Sequence, residues 1–92
     1  MQRYVYPAVF YKDGEMYRVI FPDIQLETDG KIIEEAFLYA KEFLKSYFVY
    51  VNKYDLDFNY PSDYETVSAK CKDGDILMLV DAEVTDKDVK GK

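Results

Sequence analysis

The residues that could do chemistry in this chain of 92 are its carboxylates, its tyrosines and a single cysteine, because it contains no histidine. Without histidine there is no Ser-His-Asp or Cys-His triad, no imidazole general base and no His-ligated metal unless a partner supplies the residue. Asp13, Asp23, Glu34, Glu35 and Asp81 are left as candidates for two-metal hydrolysis, which needs several carboxylates converging on ions a few ångströms apart. Each also has an ordinary structural explanation. Asp13 and Asp23 fall at turn signals, Glu34 and Glu35 at a helix start, and Asp81 late in a strand pattern. Cys71 stands alone before Lys72-Asp73-Gly74, which excludes an internal disulfide and a cysteine metal cluster; it could be a reactive thiol, but without a histidine it reads as a small buried or half-buried residue. The residues therefore lead us to expect no catalytic centre, no metal and no cofactor.

The totals point to a binding protein. Ninety-two residues fill one domain with a single core. A net charge of −6 and a pI near 4.5 repel nucleic-acid phosphates and anionic membranes and favour a basic partner. Ten Tyr and six Phe without Trp are many for so short a chain, and tyrosine serves a core edge and a partner surface equally well. With no basic-then-apolar leader and no long apolar run, and with one lone cysteine, the reading is a cytoplasmic protein.

The element that must position everything else spans residues 31–53. Ile33, Ala36, Phe37, Ala40, Leu44, Tyr47, Phe48 and Val51 recur at the spacing of one helical face, while Glu34, Glu35, Lys41, Glu42 and Lys45 fall mainly opposite. Tyr39, Phe43 and Tyr50 lie off that stripe, so either a loop or another chain is expected to cover them. Asp29 is the expected N-cap. Upstream, residues 3–12 and 15–21 are β-rich and joined by Asp13-Gly14, a hairpin signal, with Pro7 marking a bulge or an unpaired side. Residues 24–30 form a polar connection in which Leu26 could anchor a short strand. Downstream, residues 54–62 read as loop, Ser62 or Asp63 caps one helical turn, 71–75 is a turn, and 76–80 is a continuous apolar strand that suits the inside of a sheet and that 81–84 could extend by alternation. The expected fold is α+β, a small sheet in the order β-β-β-α-β with one long helix across one face. Residues 1–84 form the domain and 85–92 a flexible polar tail.

Several of these pieces together resemble the HicB antitoxins of bacterial type II toxin–antitoxin pairs. They are Tyr6-Pro7-Ala8-Val9-Phe10, Tyr17 through Phe21-Pro22-Asp23-Ile24, Ile33-Glu34-Glu35-Ala36 with Ala40 and Leu44, Pro61-Ser62, and Leu79-Val80-Asp81-Ala82-Glu83-Val84. The chain departs from the family where a Pro-Gly-Cys turn is common, since Gln25-Leu26-Glu27 stands there, and where a Thr or Ser usually caps the helix, since it has Ile32. The resemblance implies a partial RNase H-like fold and the binding of a small basic mRNA-cleaving toxin of the HicA type. Many members continue into a DNA-binding segment, and this sequence ends about where that would begin, so DNA binding is not expected of these residues.

On that reading the toxin-facing residues are Tyr17, Asp23, Glu27 and Asp29, the three carboxylates sitting together on the loop before the helix. The alternative for them is a solvated loop and a helix cap. The homodimer contacts would be Tyr4, Tyr11, Tyr39 and Phe43, with an edge-of-core role as the alternative for each tyrosine. Two other functions stay open: a stand-alone HicB-like structural or regulatory module with no toxin, and a metal-dependent nuclease built on the scattered carboxylates.

Overall fold

In a computed structural model, which describes residues 1–90, the chain forms four strands, one long helix and two short ones. In order these are β1 (Gln2–Asp13), β2 (Met16–Phe21), β3 (Leu26–Gly30), α1 (Ile33–Tyr54), α2 (Tyr64–Ser68), β4 (Ile76–Val84) and α3 (Asp86–Lys90). The strands make one sheet in the order β3-β2-β1-β4, with every neighbouring pair antiparallel. The α+β architecture with its long helix on one face is the one read from the sequence.

Local chemistry explains each corner. Asp13 pairs with Met16, so Gly14 and Glu15 form the hairpin loop, and Gly14 takes φ +63 at its first position as a II′ turn requires. The β1–β2 ladder stops at Val9 opposite Ile20, so Pro7 stands where β1 has no neighbour on that side. Residues 22–25 then turn the chain from β2 into β3, and the Gln25 N–H donates to the Phe21 carbonyl at 2.9 Å. Gln25 adopts φ 54 to do so, a left-handed conformation that glycine takes more readily.

The start of α1 differs from expectation. Asp29 does not cap the helix, because β3 keeps pairing through Gly30 opposite Tyr17 and holds Asp29 in the sheet opposite Arg18. Ile32 occupies the cap position without a side-chain bond, and Glu35 instead reaches back to accept from the Lys31 N–H at 2.9 Å. The bond is like the acidic half of a capping box displaced by one residue, since the N–H it takes precedes the cap. The far end closes with Asp55 in a left-handed conformation, its N–H donating to the Val51 carbonyl.

The core lies between α1 and the front of the sheet. Ala36, Ala40, Leu44, Phe48 and Val51 meet Tyr6, Ala8 and Phe10 of β1, Val19 and Phe21 of β2, and Val80, Ala82 and Val84 of β4, and all are buried. Phe48 is its hub, with the Tyr4 ring stacked on it at 3.8 Å and Tyr47, Phe58 and Tyr6 at 5.0, 5.1 and 5.3 Å. Two alanines and one glycine let the helix settle onto β3. A Cβ on Gly30 would stand 2.5 Å from the backbone nitrogen of Ala36.

The back of the sheet is only partly covered. The α2 turn is capped as foreseen, by Asp63 accepting from the Thr66 N–H at 3.0 Å, and its Val67 is buried. It closes a cavity of about 190 Å³ with Val9, Pro22, Asp23 and Ser62, which places it over the back of β1 and the β2–β3 turn. The strand β4 is a correction to the sequence reading, because it runs along the sheet edge rather than inside it. On its front Val80, Ala82 and Val84 are buried against α1, whereas Leu79 on its back is exposed, and among the described residues no strand pairs with its outer side. Residues 86–90, read as tail, form a helical turn in which Thr85 and Asp88 cap each other. The Asp88 carboxylate accepts from the Thr85 N–H at 2.8 Å, and the Thr85 hydroxyl accepts from the Asp88 N–H at 3.2 Å. Residues 91–92 of the expected tail lie outside the described residues.

Candidate functional site

Asp23 lies in the turn between β2 and β3 and is half-buried. Its carboxylate accepts the Ser62 N–H at 2.9 Å and the Ser62 hydroxyl at 2.5 Å, and its carbonyl accepts from the Asn59 side chain at 2.9 Å. The Tyr6 hydroxyl donates to the Asn59 carbonyl at 2.5 Å. The sequence pieces Phe21-Pro22-Asp23 and Pro61-Ser62, remote in the chain, thus form one clasp that ties the loop after α1 to the β2–β3 turn. Burial, followed by the neighbouring Tyr47 and Asp23, pushes the Tyr6 phenol up to about 12.

Glu27 and Asp29 occupy alternate positions of β3, so both project from the back of the sheet, and both are exposed. Glu27 faces Ile20, and Asp29 faces Arg18, whose own neighbour across β1 is Tyr11. Arg18 is engaged elsewhere, donating to Asp13 at 2.7 Å, a bond that also raises the guanidinium above its ordinary pKa. Among the described residues neither Glu27 nor Asp29 has an ion-pair partner. The three loop carboxylates foreseen as one group are therefore divided. Glu27 and Asp29 form an acidic pair on an edge strand, and Asp23 serves the clasp. Tyr17 is half-buried on the front face, packed against the core with the Lys12 ammonium 5.6 Å from its ring centroid.

The residues foreseen as dimer contacts also divide. Tyr4 is an edge-of-core residue, stacked on Phe48, with its hydroxyl bonded to Gln2 and accepting from Asn52 at 3.0 Å. Tyr11 lies half-buried on the back face. Tyr39 and Phe43 are neighbours one turn apart on α1 and remain exposed, as does Tyr50. No element of the described residues covers them. Tyr54, exposed and tilted against Tyr50 at 4.8 Å, prolongs the same row. It was legible as the residue four after Tyr50, just beyond where the sequence reading ended the helix. Leu38 and Leu79, 60% and 53% exposed, were not singled out, because a leucine in an apolar run carries no mark of which way it faces.

At the other edge Asp81 of β4 sits between two cations. Lys41 and Arg3 each reach one of its oxygens at 3.2 Å, and Lys41 first and then Arg3 hold its carboxyl below the usual range. Among the described residues no three carboxylates or cysteine stand together as metal ligands, so the carboxylates weighed for hydrolysis do not converge. No helix of the described residues is long and apolar enough to cross a membrane.

No family model matches the chain, and no curated protein matches its sequence. Solved structures do match its fold. A chain of the toxin–antitoxin complex from Streptococcus pneumoniae superposes with a TM-score of 0.75 at 24% identity, over 89% of this chain and 70% of that one. The antitoxin HicB of Burkholderia pseudomallei superposes with a TM-score of 0.70 at 25% identity, over 100% of this chain and 70% of that one. A HicA3–HicB3 toxin–antitoxin complex gives 0.66 at 21% identity, over 87% and 99% of the two chains. With its four antiparallel strands, the helix across their front and the turn-to-loop clasp, the chain has the HicB antitoxin fold.

Proposed function

We propose that this protein is the antitoxin of a toxin–antitoxin pair, and that it binds a small basic HicA-like mRNA-cleaving toxin in the cytoplasm and blocks it sterically. The observation that carries this reading is the fold, shared over most of the chain with HicB and with chains of two toxin–antitoxin complexes. A net charge of −6 supports a basic partner and speeds its encounter. With no histidine to act as base or nucleophile partner, covering the toxin's active surface is the means that suits these residues. Glu27 and Asp29 are our candidates for receiving toxin Lys or Arg, since they are exposed, adjacent on one face and without an ion-pair partner among the described residues. Asp23 and Tyr17 act behind them, one fixing the turn that enters β3 and the other packing at its far end.

The test is co-expression with a HicA-like toxin. Co-elution of the two as a complex, with rescue of host growth, supports the antitoxin reading. Separate elution and no rescue overturns it in favour of a stand-alone HicB-like module.

A further inference from the structure

Residues 55–75, which run from the end of α1 to the start of β4, are held to the sheet at few points. Their backbone bonds stay local. The amides of Val67, Ala69, Lys70, Cys71 and Asp75 donate within the segment, Leu56 donates to Val51 of α1, and among the described residues no backbone–backbone bond joins the segment to a strand. Of its side chains only Val67 is buried, Phe58 packs in part against the core, and Tyr60 is 80% exposed. Among the described residues four hydrogen bonds fasten it. Asp23 accepts three of them, from the Ser62 N–H, the Ser62 hydroxyl and the Asn59 side chain, and Tyr6 donates the fourth to the Asn59 carbonyl. Asp23 stands where the segment passes from the front of the sheet, where Phe58 meets Phe48, to the back, where Val67 and Cys71 line the cavity beside Val9 and Pro22.

We propose that residues 55–75 are a strap that opens as one unit together with the β2–β3 turn, with Asp23 as the latch of both. A segment with local bonds and one buried side chain opens at a much lower free energy than the core it lies on. The turn opens with it because Asp23 belongs to the turn and holds the strap by both its carbonyl and its carboxylate. Two residues on, Gln25 has φ 54, a left-handed conformation that a non-glycine residue keeps only where its surroundings hold it. Opening therefore frees the half-buried Cys71 thiol on the back and loosens the entry to β3 at Leu26 and Glu27. A basic partner seated on Glu27 and Asp29 and a closed strap then favour one another, by the reciprocity of linked equilibria. That last step rests on the proposed function; the strap and its latch do not.

Three reporters on the purified chain test it: exchange of the Ser62 amide, exchange of the Gln25 amide, and the rate at which a bulky maleimide labels Cys71, the single cysteine. In the wild-type chain all three should open with one equilibrium constant. Their urea dependence should be weaker than that of the β1–β4 ladder amides, since a strap exposes less surface than global unfolding. Asp23→Asn leaves one acceptor oxygen of two and should speed all three about tenfold. Asp13→Asn breaks the 2.7 Å bond to Arg18, which the strap-open form keeps, and should speed none of them. Circular dichroism verifies that each variant folds, and Ser62→Ala replaces Asp23→Asn should that variant not fold.

A HicA-like toxin in excess should slow the Ser62 and Gln25 amides of the wild-type chain together. Three unrelated opening constants, opening only with global unfolding, or a latch variant that moves none of the reporters overturns the strap. A toxin that binds and slows neither amide overturns the coupling. A toxin that fails to bind counts against the proposed function alone, because the three reporters need no partner.

Discussion

The two edges of this sheet offer the same backbone groups and opposite side chains. At β3 the strand is short, its Gly30 is pressed under α1, and its outward face carries two exposed carboxylates without ion-pair partners among the described residues. At β4 the strand is nearly twice as long, mostly apolar, and its Asp81 is matched by two cations. An open edge by itself is indifferent to its partner; the charges beside it decide which chain can approach. On this account β3 suits a basic protein, whereas the carboxylate at β4 is already matched within the chain.

The largest change would remove what both edges share. Phe48→Ala deletes the ring on which Tyr4, Tyr6, Tyr47 and Phe58 pack, and should cost about 3–5 kcal/mol in urea unfolding. Both edges should fail together. The next acts at the β3 end. The raised Tyr6 phenol means that its contribution is whole below the ordinary tyrosine pKa near 10 and is lost as pH rises through about 12, a loss of about 2–3 kcal/mol. Unfolding measured from pH 9 upward should show this fall, at about those values, and Tyr6→Phe should abolish it. Gly30→Ala pushes a Cβ into the Ala36 backbone and should cost about 1–3 kcal/mol in urea unfolding, weakening partner binding at β3. The smallest effect belongs to β4. The depressed Asp81 carboxyl contributes stability above the ordinary aspartate pKa near 3.9, and that contribution disappears as pH falls through its lowered value. Asp81→Asn should flatten this acid limb in a pH titration of stability.

Periodicity told much about faces and little about edges. The α1 stripe, the Gly14 hairpin and the Asp63 cap were legible because each depends on residues close in sequence. The edge position of β4 was not legible. A continuous apolar run suggests a strand packed on both faces, but Leu79 in it is exposed, and the run says nothing about whether the strand's hydrogen bonds have a partner. Asp29 was misplaced for a related reason. A residue suited to capping was held in the sheet by the register of β3 with β2, which no local rule contains. Of the candidate site, the acidity was visible in the sequence, but Asp23, Glu27 and Asp29 were read as one group on a loop, and the placing of Glu27 and Asp29 side by side on β3 was not visible. The engagement of Asp23 with Ser62, 39 residues away, was not, although both halves of that clasp had already been marked as motifs.

The central claim is that this protein captures a basic toxin through the acidic edge of β3. It is tested most directly by the association rate constant with a HicA-like toxin, measured against salt concentration for the wild-type chain and for a Glu27→Lys, Asp29→Lys double variant. The account predicts fast, salt-sensitive association for the wild-type chain, and at least about tenfold slower association with a flattened salt dependence for the variant. Equal rates and equal salt slopes for the two chains would contradict it.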